Sequence, residues 1–450
     1  MKKSGAIYKA LLISAKSPKK LKIYNPGFLV ISPEGIIENI SKKDPRKKLK
    51  NYSFHDYSGF LICPGFIDTH NHLSQYSFAG LEGQELLTWL KTYAFPEEKK
   101  FKDQKIAQIA AQNFFQELIR NGTTTTLTYI TTHKIATDIA FQQAQKSKIR
   151  AIIGKVMMDQ NSPRFLIEKT AQSLKDSLEL IDKWHNKDGR LFYALTPRFA
   201  ITCSRKLMQD IGKIAQEKNV YVQTHLSENH QEIQITQKLF PQYKSYTDIY
   251  YQTGLLCPRT ILAHCIHLTS TEIQLIKKTQ SKIAHCPTSN RFLMSGIMPF
   301  RKYQNLNLQM SLGTDVAGGY SLSMLNEMRE AIENSKTVIL FQGKKNIPPM
   351  TITEAFYLAT LGGAKNLSLQ SQIGSLEKGK QADFLITDPI SIDPMRDKSP
   401  YQNPIQLLSK LIYRGNNSVI KEVYIKGEKI MIYKKHQSLL RNPHFSAKSS

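Results

Sequence analysis

Cysteine is scarce in this 450-residue chain: Cys63, Cys203, Cys257, Cys265 and Cys286, an odd number with no CxxC pair. That argues against a disulfide framework and a thiolate zinc site, and points to a reducing cytoplasm. Each lies in or beside an apolar run, where cysteine behaves as a small hydrophobe. No run of about 18 apolar residues occurs, so no transmembrane helix is expected. No GxGxxG follows a first strand, and neither GxxxxGKS nor GxxxxGKT is present; the usual dinucleotide and P-loop readings fall away. Acidic residues are few, 36 against 62 Lys and Arg, leaving a formal charge of +26. The surplus is spread through segments such as SKKDPRKKLK and FQGKKN, with no arginine-rich block interleaved with aromatics. It reads as a solvated lysine coat and not as a nucleic-acid surface. The start, MKKSGAIYKALLISAKSPKK, has the outline of a signal peptide, but Lys9 interrupts its apolar stretch and Lys occupies the place of a cleavage site. A short first strand is expected there.

Hydrophobic residues make up 41% of the chain, an ordinary globular fraction. The first 64 residues read as short β segments broken by turns (AIYKALLISA, GFLVIS, NYSFHDYSGF). Residues 372–435 have the same texture, ending in the hairpin EVYIKGEKIMIY with Gly427 at its turn. Segments from opposite chain ends can pair, so a small β-sandwich domain built from both ends is expected. The tail 436–450 is basic, without periodicity, and expected to be loose. Between these ends, residues 65–371 alternate strand-like and helix-like runs. GFIDTHNH, TTTTLTYI, AIIGKVMM, FYALTPRF, YVQTHLSE, ILAHCIHL, KIAHCPTS and LQMSLGTD are the strands, with amphipathic stretches such as IAQIAAQNFFQELIR and SRKLMQDIGKIAQEK separating most of them. Such alternation predicts an α/β fold, a (β/α)8 TIM-type barrel. A doubly wound sheet is the alternative, lacking its nucleotide fingerprints.

Polar residues collect at one end of these runs. His70 and His72 close the first, His225 and Glu228 the fifth, His264 the sixth and Asp315 the eighth. Barrel enzymes build their sites at these C-terminal strand ends. Side chains two apart on a strand point the same way, so His70 and His72 can reach one ion together. Neutral imidazoles with a carboxylate suit a divalent transition metal such as zinc, with a position left for water. A lone strand histidine is more often a packed, hydrogen-bonded residue, and His285 in IAHCPTSN is read that way. Three histidines and an aspartate meeting at one rim are hard to explain as independent packing choices. Beside an activated water, Glu228 is the natural proton carrier.

PGFIDTHNH, HLSENH, ILAHC, AHCPTSN and LGTD resemble the amidohydrolase superfamily, in its single-metal deaminase branch. HLSQYSFAG, LLTWLKTYAFPEEKKF, TPRFAITCS, SLGTDVAGGYSLSML and ATLGGAKNL narrow the resemblance to the guanine deaminase family, across nearly the whole chain. The resemblance implies one metal ion per chain held by His70, His72, His225 and Asp315. It implies Glu228 as proton shuttle, His264 beside the reacting centre, and Asp315 also aligning the water. Zinc is the ion expected; iron or manganese would suit the same ligands. It sets Gln75, Arg198 and Phe199 against a purine, with hydroxide attack at C2 of guanine giving xanthine and ammonia, and it suggests a homodimer. The side-chain chemistry agrees. A guanidinium fork matches O6 and N7 of guanine, where adenine has an amino donor in place of O6. The Gln75 amide can both donate and accept. The alternatives are a related deaminase or chlorohydrolase acting on an adenine-type or triazine ring, and a barrel scaffold without catalysis, which should lack some of these residues.

Overall fold

The computed structural model describes residues 4–81, 84–342, 347–393 and 403–430. Its strands are β1 Ala6–Ser17, β2 Lys20–Ile31, β3 Ile37–Ser41, β4 Ser53–Pro64, β5 Phe66–His72, β6 Thr123–Tyr129, β7 Arg150–Gly154, β8 Val156–Met157, β9 Leu191–Pro197, β10 Tyr221–Leu226, β11 Thr260–His264, β12 Lys282–His285, β13 Met310–Leu312, β14 Phe384–Thr387, β15 Ile420–Ile425 and β16 Glu428–Lys429.

The two chain ends build one seven-stranded mixed sheet in the order β16-β15-β14-β4-β1-β2-β3. Pairing across the chain ends occurs between β4 and β14, with Cys63 opposite Leu385. The alternation of a pleated strand explains how the sheet serves two cores. Tyr8, Ala10 and Leu12 of β1 pack with Ile62 and Phe384 on one side, while Leu11, Ile13 and Ala15 join the main core with Leu61 and Leu385 on the other. The expected hairpin is present, with Lys426 and Gly427 in the left-handed region at its turn. The tail expected to be loose, 436–450, lies outside the described residues.

The eight expected strands form the parallel run β5-β6-β7-β9-β10-β11-β12-β13, with the short β8 paired to β9. The run closes on itself: the Thr69 hydroxyl donates to the Leu312 carbonyl at 2.8 Å, and the Asp315 N–H to the His70 carbonyl at 2.8 Å. Gly313 permits this closure, since a Cβ there would stand 2.7 Å from that of His70. The α/β barrel architecture expected from the sequence is therefore the one found. Apolar side chains fill its interior, among them Ile67, Leu127, Ile152 and Ile261, together with Leu367 and Ile373 from the turns that follow the helix Gly363–Asn366. The Tyr221 hydroxyl donates to the Leu367 carbonyl at 2.7 Å. The interior is thus packed, and chemistry is left to the rim at the C-terminal strand ends.

Helix boundaries follow from local chemistry. The helix Gln104–Arg120 opens on the Asp103 carboxylate, which accepts from Lys105 and Ile106 N–H groups. It stops at Asn121-Gly122, with Gly122 at φ +80°, and the chain turns directly into β6. Among the described residues, no helix is long and apolar enough to cross a membrane.

Candidate active site

The rim residues converge. His70 Nε2 and His72 Nε2 lie 3.1 and 3.2 Å from the same Asp315 oxygen, Oδ1. His225 Nε2 is 3.2 Å from His72 Nε2. Ligand atoms of His70, His225, His264 and Asp315 all fall within 4.8 Å of one another. His264, expected beside the centre, therefore brings a nitrogen into the cluster itself. His72 completes it from the Asp315 side.

The cluster fits a metal ion. His70 Nε2 and His264 Nε2 are buried and, although carboxylate oxygens lie 3.1 and 3.3 Å away, neither makes a hydrogen bond of acceptable geometry, an expensive arrangement for a polar atom unless something coordinates it. Burial pushes the pKa values of His70, His72 and His225 down, that of His72 to about 3. They are neutral imidazoles, the ligating form. Burial alone would raise the Asp315 carboxyl, but His70, His72 and His264 around it hold it well below the usual carboxylate range. Outer contacts orient these rings. The Arg198 carbonyl accepts from His225 Nδ1 at 2.7 Å, turning Nε2 inward. The Asn290 side-chain oxygen faces His264 Nδ1 at 2.8 Å. Asp68 ties the first strand end to the last, accepting from the His70 N–H, the Asn71 amide and both the N–H and hydroxyl of Thr314.

The backbone is unusual at the same rim. Ser227, His264, Cys265 and Asp315 all have φ between +47° and +69°, although none is glycine. Such residues persist only where the surroundings over-determine them, and they gather at functional sites.

Glu228 stands beside the cluster. Its Oε2 is 3.3 Å from His264 Nε2, and its Oε1 accepts from the Ser295 hydroxyl at 2.9 Å. Burial, and then the charge of Asp315, push its pKa up to about 8 against the Ser295 bond. A buried carboxyl titrating near neutrality can take and release a proton. Its loop is held by Glu232, whose carboxylate accepts from the Glu228 and Asn229 N–H groups.

His72, His225, His264, Asp315 and Glu228 face a cavity whose walls include Gln75, Trp89, Arg198, Phe199 and Leu293. Arg198 follows β9, and its Nη1 donates to both oxygens of Glu98 at 2.8 Å. Gln75, in the turn Leu73–Phe78 after β5, donates Nε2 to Glu98 Oε1 at 2.9 Å. Eight of the nine residues singled out in the sequence line this one cavity; His70 does not reach its wall and joins the site through the ligand cluster. His285 stays apart from the cavity wall, buried in β12.

Five further side chains matter that the sequence reading did not single out: Asp68, Glu98, Glu232, Asn290 and Ser295. Asp68 and Asn290 sit inside motifs quoted for other residues. Glu98, in FPEEKKF, is indistinguishable in sequence from its neighbour Glu97, which is only partly buried.

Comparison with known proteins agrees with this geometry. Residues 61–430 match the amidohydrolase family. The chain is 39% identical over 385 residues to the guanine deaminase of Escherichia coli strain K12, covering 85% of each. It is 37% identical over 441 residues to that of Dictyostelium discoideum, covering 94% of this chain and 98% of the other. Among solved structures, guanine deaminase from C. acetobutylicum with guanine bound in the active site superposes with a TM-score of 0.90 at 36% identity, over 95% of this chain and 100% of that one.

Proposed function

Because this chain belongs to the guanine deaminases of the amidohydrolase family, we propose that it hydrolyses guanine at C2, releasing ammonia and xanthine, through the residues gathered at the barrel rim. The observation that carries the reading is a three-histidine, one-aspartate cluster bordering the one cavity that Arg198 and Gln75, both bonded to Glu98, also line.

His70, His72, His225 and Asp315, with His264 adjoining, would hold one divalent ion, which we take to be zinc given neutral imidazoles with one carboxylate. When bound, such an ion lowers the pKa of water towards neutrality and polarises the atom under attack. The chain's own residues do the rest. Glu228 takes a proton from the attacking water at Oε2 and gives it to the ring nitrogen beside C2; it then takes the proton of the new C2 hydroxyl and gives it to the departing amine, so that the C2 carbonyl forms as ammonia leaves. A carboxyl titrating near 8 can serve both directions. Asp315, ionised, orients the attacking water. His264 sets Nε2 beside the reacting centre, kept in that direction by Asn290. Arg198 meets O6 and N7, Gln75 the neighbouring ring edge, and Phe199 packs the base. The Leu86, Trp89 and Leu90 side chains exclude water from the pocket.

We also propose the division into a barrel, residues 65–371, and a small β domain from residues 1–64 and 372–435. A homodimer is the assembly we infer, following the family. Unpaired cysteines, four of the five buried, support a reducing cytoplasm. The test is ammonia release from guanine, adenine, cytosine and their nucleosides. Guanine should be turned over at least about 10²-fold better than adenine, as two mismatched ring positions imply. Preference for an adenine-type or triazine substrate would overturn the reading.

A further inference from the structure

Glu98 has no counterpart in the reaction as described, yet its carboxylate accepts from two side chains of the pocket lining, Arg198 and Gln75. It is fully buried, and a carboxylate is almost never so unless paired. Arg198 Nη1 straddles its two oxygens at 2.8 Å each, and Gln75 Nε2 donates to Oε1 at 2.9 Å. Its helix, Phe95–Lys100, also sets the Phe95 ring 5.1 Å from the Arg198 guanidinium. The Thr131 hydroxyl, just beyond β6, donates to the Glu98 carbonyl at 3.4 Å.

We propose that Glu98 is a positioning residue that fixes the hydrogen-bond polarity of the substrate pocket, so that the pocket accepts a ring with an N–H beside a carbonyl. This rests on the guanine deaminase reading and deepens it. An ionised carboxylate can only accept, so the Gln75 amide must turn its nitrogen to Glu98. Its oxygen then faces the cavity, where no donor of the described residues meets it. A free Gln side chain could read either a donor or an acceptor; this one presents an acceptor. Arg198 has one nitrogen committed to the same carboxylate, and its Nε and Nη2 make no hydrogen bond among the described residues. The wall therefore offers an acceptor beside donors. N1–H and O6 of guanine complement that order. A ring with a bare N1 beside an amino group opposes it at both positions, leaving buried groups unpaired. Sequence alone shows a glutamine able to read either way; the buried carboxylate behind it removes the choice.

The test compares guanine with 2,6-diaminopurine, which keeps the C2 amino group but reverses the N1 and C6 hydrogen-bonding pattern. In Glu98→Gln the new amide can donate to the Gln75 oxygen, freeing Gln75 to turn. The ratio of kcat/KM for guanine over 2,6-diaminopurine should fall by at least about tenfold, the discrimination of one recognition pair, mostly through KM, with metal content unchanged. A folded Glu98→Gln whose two rates fall together, leaving the ratio intact, would show a merely structural role and overturn the proposal. Should that variant not fold, Gln75→Met removes the acceptor while leaving Glu98 paired with Arg198. It must show the same collapse of the ratio, and an unchanged ratio overturns the proposal equally. A parent protein inert on guanine rejects the deaminase reading and this proposal with it. An active parent with an unchanged ratio in the variants rejects this proposal alone.

Discussion

Glu228→Gln separates proton transfer from everything else Glu228 does, because the surroundings can accommodate an amide. The Ser295 hydroxyl, which now donates to Oε1 at 2.9 Å, can donate to the amide oxygen. The amide nitrogen then faces His264 Nε2, the place of an oxygen 3.3 Å away. With Nδ1–H directed at Asn290, that nitrogen carries a lone pair and accepts. The two bonds that hold the Glu228 loop to Glu232 are made by backbone N–H groups and are untouched. Nor is a favourable charge lost: burial and Asp315 already push the carboxyl up to about 8, so a neutral group costs little there. What disappears is the ability to take and return a proton. General acid–base catalysis is worth about 10²–10⁴-fold, roughly 3–5 kcal/mol of barrier. The assay is kcat at saturating guanine by ammonia release, with metal content and melting temperature measured on the same preparation. The expected result is a loss of at least about 10²-fold in turnover with metal retained and melting little changed. Turnover within about tenfold of the parent would assign the proton to another group; loss of metal would make Glu228 a ligand.

Active protein should carry about one transition-metal ion per chain by elemental analysis, and a chelator should abolish turnover; full activity in metal-free protein would refute the site. Arg198→Lys keeps the charge but not the fork, so kcat/KM for guanine should fall by about 1–3 kcal/mol, while a surface ion pair would leave it unchanged. His285 is kept neutral by burial, its pKa lowered to about 3. Below the ordinary value near 6.5 the unfolded chain takes up a proton that the folded chain refuses, so stability is full above about 6.5 and is lost as pH falls towards 3. His285→Gln should remove about 2 kcal/mol of the stability drop between pH 7 and 5; identical acid profiles by denaturant titration would show that His285 is not a source of acid sensitivity.

Where local pattern dictates structure, the sequence was readable. Strand runs ending in HNH, HLSE, AHC and GTD predicted a barrel with chemistry at its rim, because a strand's last residues and its period-two geometry set where side chains go. His285 has the same residue type at the end of β12 and yet stays out of the ligand cluster, so pattern alone does not decide which rim histidines meet. Glu98 was opaque for a different reason. It sits on a helix among ordinary charged residues, and only the approach of Gln75 and Arg198, from elements far away in sequence, turns it from a surface carboxylate into a buried acceptor. Glu232 lay within reach of local pattern, since Asn229 and Glu232 form a capping box at the start of their helix. Ser295 belongs to a loop with no periodicity, and its bond to Glu228 depends on the path of that loop. Charge was uninformative: the surplus of Lys and Arg says nothing of a cavity in which Arg198 is already paired.

Recognition and metal holding are joined at one backbone atom. The Arg198 carbonyl accepts from both the N–H of His225, at 3.2 Å, and its ring Nδ1, at 2.7 Å. The Arg198 guanidinium, meanwhile, reaches the buried carboxylate of Glu98. A displacement of the Arg198 backbone would therefore shift His225 and the reading of the base together, which fixes the distance from the reacting carbon to the recognised ring edge. It also means that side-chain substitutions at Arg198 leave the His225 contacts in place, because the carbonyl remains whatever the side chain. A loss of guanine kinetics in Arg198→Lys with full metal content is thus attributable to the fork, and a loss of metal in that variant would contradict the backbone coupling.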